Sequence, residues 1–138
     1  MDFNANKARE IIMNHYLDPE NKKPLSVDDG EVFFSSTCSD KLILHTKFKD
    51  KKLIEASFDG HGCAIFIAAS DILLSLLKNK NIDEIEQVLL IYQKFIIQEE
   101  LSNEQINLLG DLWVFYNVKT HLNRTTCALL TAEKILKN

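Results

Sequence analysis

The sequence predicts an α+β fold: a three-stranded antiparallel sheet with about five to six helices packed against it. Three observations lead there. Apolar residues recur with a period of two between Glu31 and Phe58, and with a period near 3.6 on either side of that stretch. The polar run Lys49-Asp50-Lys51-Lys52 interrupts the period-two region where a hairpin turn belongs. Capping signatures open helices at Asn81, with Glu84 three residues on, and at Ser102, with Gln105 three residues on.

Taken in order, Phe3, Ala8, Ile11, Ile12, His15 and Tyr16 fall at helical spacing, and the segment DPENKKPL ends that helix with Pro19 and Pro24. Strands follow on three alternating sets: Val32 and Phe34; Leu42, Leu44, Thr46 and Phe48; Ile54, Ala56 and Phe58. Cys38-Ser39-Asp40 makes the turn between the first two. After Cys63 the pattern turns helical and nearly all apolar (Ile65, Ala68, Ala69, Ile72, Leu73, Leu76), which describes a helix buried on most sides. Ile82, Ile85, Leu89, Tyr92 and Ile96 line one face of the next helix. The stretch from Ser102 to Val118 reads as one or two short helices interrupted near Gly110, and the last helix runs from Asn123 or Arg124 to Leu136.

The composition bounds the function. A chain of 138 residues that is 46% hydrophobic suits one compact core, so residues 1–138 are expected to form a single domain. Sixteen basic and twenty acidic residues give a net charge of -4, and no basic block tracks a phosphate backbone, which argues against nucleic acid as a partner. The N-terminal segment has no uninterrupted apolar region, and the longest wholly apolar run, Cys63 to Ala69, is too short to span a bilayer. A soluble, cytoplasmic protein without a membrane partner is expected.

Three cysteines, an odd number, do not make a disulfide framework; they leave metal binding, a reactive thiol or plain burial. Cys38 lies in a turn, Cys63 at a helix start after Gly60-His61-Gly62, and Cys127 in the first turn of the last helix. A helix N-terminus favours thiolate, the form that binds metal or attacks sulfur. Gly60 and Gly62 are read as taking positive φ to turn the chain from strand to helix and leaving room beside Cys63. Unpaired cysteine is also among the most buried residue types, and gaps of 25 and 64 residues make no C-x-x-C pair. Periodicity alone does not bring the three together.

The segments IIMNHYLDPENKKPL, TCSD, ASFDGHGCAIFIAASDIL, LGDL and LNRTTCALLTAEKIL resemble, in order and placement, the motifs of the NifU/IscU-like iron–sulfur cluster assembly family, from Ile11 to Leu136. Three features resemble its SufU branch: the extra helical segment between Cys63 and Cys127, Thr126 where the IscU branch has histidine, and the absence of a Leu-Pro-Pro-Val-Lys stretch. The resemblance implies that Cys38, Asp40, Cys63 and Cys127 hold a Zn2+ ion, a donor set of thiolates and one carboxylate that suits tetrahedral zinc. It also implies persulfide sulfur transfer from a SufS-type cysteine desulfurase toward cluster assembly. Cys38, on the most accessible turn, is the expected acceptor, released for attack when the docked partner replaces it as a ligand. Arg124, three residues before Cys127, matches a family arginine and is expected beside the ligands or facing the partner.

The alternative within the family is a scaffold on which a transient [2Fe-2S] cluster is built on the same four ligands and passed to apo-proteins. Either role is that of a sulfur-transfer partner or scaffold without independent turnover chemistry. A purely structural zinc domain and a cysteine hydrolase built on Cys63 with His61, or Cys127 with His121, are the readings from other classes. The chain departs from the family pattern at Ser39, where the turn usually has glycine, at Leu122, where proline is common, and at Glu20, where arginine follows Pro19. His61 and His121 are the candidate replacements for Asp40 as fourth ligand, whereas His15 and His45 read as satisfied imidazoles.

Overall fold

The computed structural model describes residues 2–35, 39–120 and 124–136. Its elements, in order, are α1 (Ala5–Leu17), β1 (Glu31–Phe34), β2 (Lys41–Lys49), β3 (Lys52–His61), α2 (Ala64–Leu77), α3 (Ile82–Ile96), α4 (Asn103–Asn107), a 3-10 helix (Gly110–Phe115) and α5 (Thr125–Lys134). The three strands form one antiparallel sheet in the order β1-β2-β3, so the expected α+β architecture is the one observed. No helix among the described residues is long and apolar enough to cross a membrane.

The sheet departs from simple alternation in two places, each with a physical cause. On β1 the core-facing side chain is Phe33, because the register sets Phe33 opposite the fully buried Leu42, while Phe34 opposes Lys41 and is 67% exposed. On β3 the pairing jumps from Lys47↔Glu55 to Phe48↔Leu53 at a β-bulge, with Ile54 falling between the two pairs. The bulge reverses the in–out order, so Leu53 is buried and Ile54 only half-buried. The hairpin turn places Asp50 and Lys51 at φ 52° and 65°, left-handed values normally taken by Asn-Gly.

The helices follow their caps. Asn4 accepts from the Lys7 N–H at 3.0 Å and starts α1. At α3 the Asn81 side chain accepts from the Glu84 N–H at 2.9 Å while Glu84 accepts from the Asn81 N–H at 3.1 Å. Ser102 and Gln105 repeat the reciprocal arrangement at α4. Gly110, at φ 51°, begins the 3-10 segment, as the interruption predicts.

Helix α2 forms the centre, packed against α1, α5 and β3. It buries Phe66, Ile67, Leu73, Leu74 and Leu77, and Phe66 meets Phe58 of β3 edge to face at 6.4 Å. Tyr92 of α3 is fully buried and donates to the Ala128 carbonyl of α5 at 2.9 Å; burial pushes its phenol far above the usual range, so it remains a donor.

One buried polar cluster ties α1 and the following loop to α2. The carboxylate of Asp71, wholly buried, takes the His15 Nδ1 at 2.6 Å, the Asn21 backbone N–H at 2.7 Å and the Asn21 amide at 3.0 Å. Asn21 also donates to Ser75 and accepts from Lys78. The loop then runs beside β3, where Asn21 and Lys23 exchange backbone hydrogen bonds with Phe58 and cover that strand's edge. Asp59 pins the same loop by accepting from the Leu25 N–H and Lys22 Nζ.

Candidate metal centre

The site lies where the start of β2, the end of β3 and the first turns of α2 and α5 meet. Asp40 immediately precedes β2, and its carbonyl accepts from the Ser35 N–H at 3.1 Å, closing the turn between β1 and β2. Residues 36–38 fall outside the described residues, and Cys38 with them. At the end of β3, Gly60 has φ 125°, and a Cβ there would lie 1.9 Å from the Lys41 carbonyl oxygen. Only glycine lets the two strands close up at that point, which brings the chain after β3 against Asp40.

Gly62 serves differently from the expectation of positive φ. Its φ lies outside the left-handed region; what requires glycine is space, since a Cβ would sit 2.3 Å from Asp40 Oδ1 and 2.7 Å from Phe66 Cδ2. The room read beside Cys63 is occupied by the Asp40 carboxylate. Cys63 is the N-cap of α2, makes no side-chain cap hydrogen bond, and donates its own N–H to Asp40 Oδ1 at 3.1 Å. A carboxylate at this end of the helix also sits favourably in the helix dipole.

Cys127 is in the first turn of α5, 1% exposed, while Cys63 is half-buried. A buried hydrogen bond of 2.7 Å between Ser70, two turns after Cys63, and Thr131, one turn after Cys127, holds α5 against α2 and fixes the relative height of the cysteines. The outcome is that one carboxylate oxygen of Asp40 and the two Sγ atoms all lie within 4.8 Å of one another. Arg124, the N-cap of α5, points Nη1 at Cys127 Sγ from 4.0 Å.

The donor set fits a soft divalent cation. Asp40 is 2% exposed and its Oδ2 is buried without a hydrogen-bond partner among the described residues. An unpaired carboxylate oxygen in such a place costs about 1–3 kcal/mol unless something positive meets it. Two thiols converge on the same point, and tetrahedral zinc with bonds of about 2.3 Å to sulfur needs its sulfurs roughly 3.8 Å apart, within reach of this spacing. Cations with a strong preference for all-oxygen shells do not suit the set.

The four histidines separate. His15 is held by Asp71, and His45 Nε2 lies 3.5 Å from Glu55 Oε2, so both are partnered away from the site as expected. His61, at the end of β3 opposite Lys41, is exposed and does not belong to the converging group; His121, like Leu122, lies outside the described residues. Sequence reasoning missed two features. One is the contact of Gly62 with Asp40, for which the only signal was a second glycine two residues after the first. The other is a largely apolar groove of about 580 Å³ whose lining includes Cys63, Ile12, Met13, Val118, Arg9 and Arg124. Ile12 reads as an inward-facing residue of α1; it borders the site.

Residues 7–128 match the family model described as the NifU-like N-terminal domain. The chain is 29% identical over 140 residues to the zinc-dependent sulfurtransferase SufU of Bacillus subtilis, covering 99% of this chain and 94% of that one. It is 33% identical over 82 residues to the iron–sulfur cluster assembly scaffold protein IscU of Buchnera aphidicola, covering 56% of this chain and 65% of the other. Among solved structures, a candidate cluster assembly scaffold of the SUF system from Fervidobacterium islandicum superimposes with a TM-score of 0.78 at 25% identity, covering 93% of each chain.

Proposed function

Because the chain belongs to the NifU-like N-terminal domain family, we propose that it is a zinc-binding sulfur acceptor in iron–sulfur cluster assembly, working in the cytoplasm as one domain of residues 1–138. Cys38, Asp40, Cys63 and Cys127 are its metal ligands in this reading. The observation that carries it is that a carboxylate oxygen of Asp40 converges with two thiols, while Asp40 Oδ2 is buried with no hydrogen-bond partner among the described residues. The likeness to a zinc-dependent sulfurtransferase over nearly the whole chain supports the sulfur chemistry.

Zinc, when bound, keeps coordinated cysteines as thiolates at neutral pH. The rest belongs to the chain's own residues. Cys38, two positions before Asp40 in the sequence between β1 and β2, is the acceptor. Its thiolate attacks the outer sulfur of a persulfide carried by a SufS-type cysteine desulfurase. A new S–S bond forms on Cys38, the donor's S–S bond breaks, and the donor cysteine leaves as thiolate, so the step is a sulfur transfer without external oxidant or reductant. Asp40, Cys63 and Cys127 stay in place because strand ends and packed helices fix them. Arg124, beside Cys127, stabilises anionic sulfur or contacts the partner. The neighbouring groove at Cys63 offers an apolar surface for that partner.

The same three-sulfur, one-oxygen set also suits a [2Fe-2S] scaffold, and the likeness to IscU over about half the chain favours keeping that reading. Metal and acid-labile sulfide analysis of protein purified without air, with Cys38→Ala, Cys63→Ala and Cys127→Ala beside it, separates the two. Near-stoichiometric zinc that falls in all three variants, with persulfide acceptance abolished in Cys38→Ala, supports the sulfur acceptor. Iron with equimolar sulfide supports the scaffold. Undiminished sulfur acceptance by Cys38→Ala removes Cys38 from the role.

A further inference from the structure

We propose that Gly62 is a positioning residue for the metal centre: the side chain it lacks is what allows Asp40 to present Oδ2 to the ion. The inference rests on the reading of Asp40, Cys63 and Cys127 as ligands and adds to it the residue that sets the carboxylate's direction. Asp40 has two oxygens with different duties. Oδ1 is taken by the Cys63 N–H at 3.1 Å, and Oδ2 is buried without a hydrogen-bond partner among the described residues. A carboxylate tied in this way offers a single oxygen to the site.

The tie depends on position 62. A Cβ on Gly62 would lie 2.3 Å from Asp40 Oδ1, 2.9 Å from Asp40 Cγ and 2.7 Å from Phe66 Cδ2. Phe66 is fully buried and stacked edge to face on Phe58, so it has little room to retreat. The backbone of Asp40 is held through the pairing of Lys41 with His61 and by the Ser35 N–H. The remaining freedom is rotation of the Asp40 side chain, and that rotation takes Oδ1 off the Cys63 N–H and changes the direction in which Oδ2 points. Backbone strain does not enter, because the φ of Gly62 lies outside the left-handed region.

The test is a double-mutant cycle on metal affinity with Gly62→Ala, Asp40→Ala and the pair, using zinc(II) in competition with a chromophoric chelator and cobalt(II) absorption as the spectroscopic readout. Gly62→Ala is expected to weaken zinc by about 10–100-fold, the usual effect of losing a group that orients a ligand. In the Asp40→Ala background the same change should cost less than about threefold. The cobalt spectrum of Gly62→Ala should match that of Asp40→Ala, with the thiolate-to-cobalt band kept and the d–d bands altered. If Gly62→Ala melts before it binds, Phe66→Leu with and without Gly62→Ala relieves the ring contact and leaves Asp40 as the obstacle. Gly62→Ala binding within twofold of wild type, or an undiminished loss in the Asp40→Ala background, overturns the inference while leaving the metal site intact. No zinc in the wild-type protein, with Cys63→Ala and Cys127→Ala changing nothing, overturns the site reading and this inference with it.

Discussion

Asp71→Ala removes the one charged side chain of a mostly apolar helix, and its cost follows from the groups left behind. Asp71 accepts from the His15 ring, the Asn21 backbone N–H and the Asn21 amide, at 2.6, 2.7 and 3.0 Å. Asn21 is 4% exposed, so its N–H would lose its acceptor without gaining water, a penalty of about 1–3 kcal/mol. The Asn21 amide keeps the Asp71 carbonyl and Ser75 as acceptors, and His15 is partly open to solvent, so these contribute less. A total of about 3 kcal/mol is expected. With an unfolding entropy of roughly 2.1 cal/mol/K per residue, a chain of 138 residues should melt about 10 °C lower. Asp71→Asn keeps an oxygen for the Asn21 N–H and should cost about a third as much. Urea unfolding with a constant slope measures both. Asp71→Ala within 0.5 kcal/mol of wild type, or Asp71→Asn as harmful as Asp71→Ala, would refute the hydrogen-bond account. Zinc affinity should change little, since Asp71 lies two turns along α2 from Cys63, about 12 Å at 1.5 Å per residue.

Two further outcomes concern the sheet. Lys51→Gly relieves a left-handed lysine in the β2–β3 turn and should raise stability by about 1 kcal/mol, read as a higher urea midpoint; an unchanged or lower midpoint counts against strain at φ 65°. For Asp59, burial by itself pushes the carboxyl up, but the N–H groups of Leu25 and Gly60 and the Lys22 ammonium together hold it below its ordinary value of 3.8. A depressed folded-state pKa stabilises above the unfolded pKa and loses that contribution as pH falls through the folded value. Wild type should therefore exceed Asp59→Asn in stability near pH 6, with the gap closing below pH ~4. A gap that persists unchanged in acid contradicts the assignment.

How much of this was legible depends on the scale of the signal. Periods of 2 and 3.6 are local, so the order of strands and helices and the caps at Asn81 and Ser102 follow from neighbouring residues alone. The bulge at Ile54 and the inward Phe33 follow from register between strands, which the alternation within one strand does not encode. Asp71 was hidden because the one charged residue of a mostly apolar helix carries no period; its partners, His15 and Asn21, are 56 and 50 residues away. Cys63 and Cys127 meet through the packing of α2 on α5, held by Ser70 and Thr131, and only the resemblance to a family brought them together beforehand. For Gly62 the expected positive φ does not hold but the expected room beside Cys63 does, since glycine in a sequence signals backbone freedom and close approach alike, and that Asp40 fills the room became visible only in the fold.

Metal removal distinguishes a site carried by a finished core from one that makes the core. The largest fully buried side chains, Tyr92, Phe58, Phe66, Phe95 and Phe115, come from β3, α2, α3 and the 3-10 helix, and none is a candidate ligand. Chelated protein should therefore keep its helical circular dichroism and a cooperative melt. Added zinc at a thousandfold excess over its dissociation constant should then stabilise it by about 4 kcal/mol. Asp40 sharpens the test. Without metal its buried Oδ2 is a liability that roughly offsets its hydrogen bond to the Cys63 N–H, so Asp40→Ala should change apo-protein stability by no more than about 1 kcal/mol. With zinc the same variant forfeits most of the ligand's contribution, and its stability deficit should grow with metal concentration. A chelated wild type that loses its helical signal would make the metal structural. An equal Asp40→Ala deficit with and without zinc would mean that the carboxylate serves the fold rather than the ion.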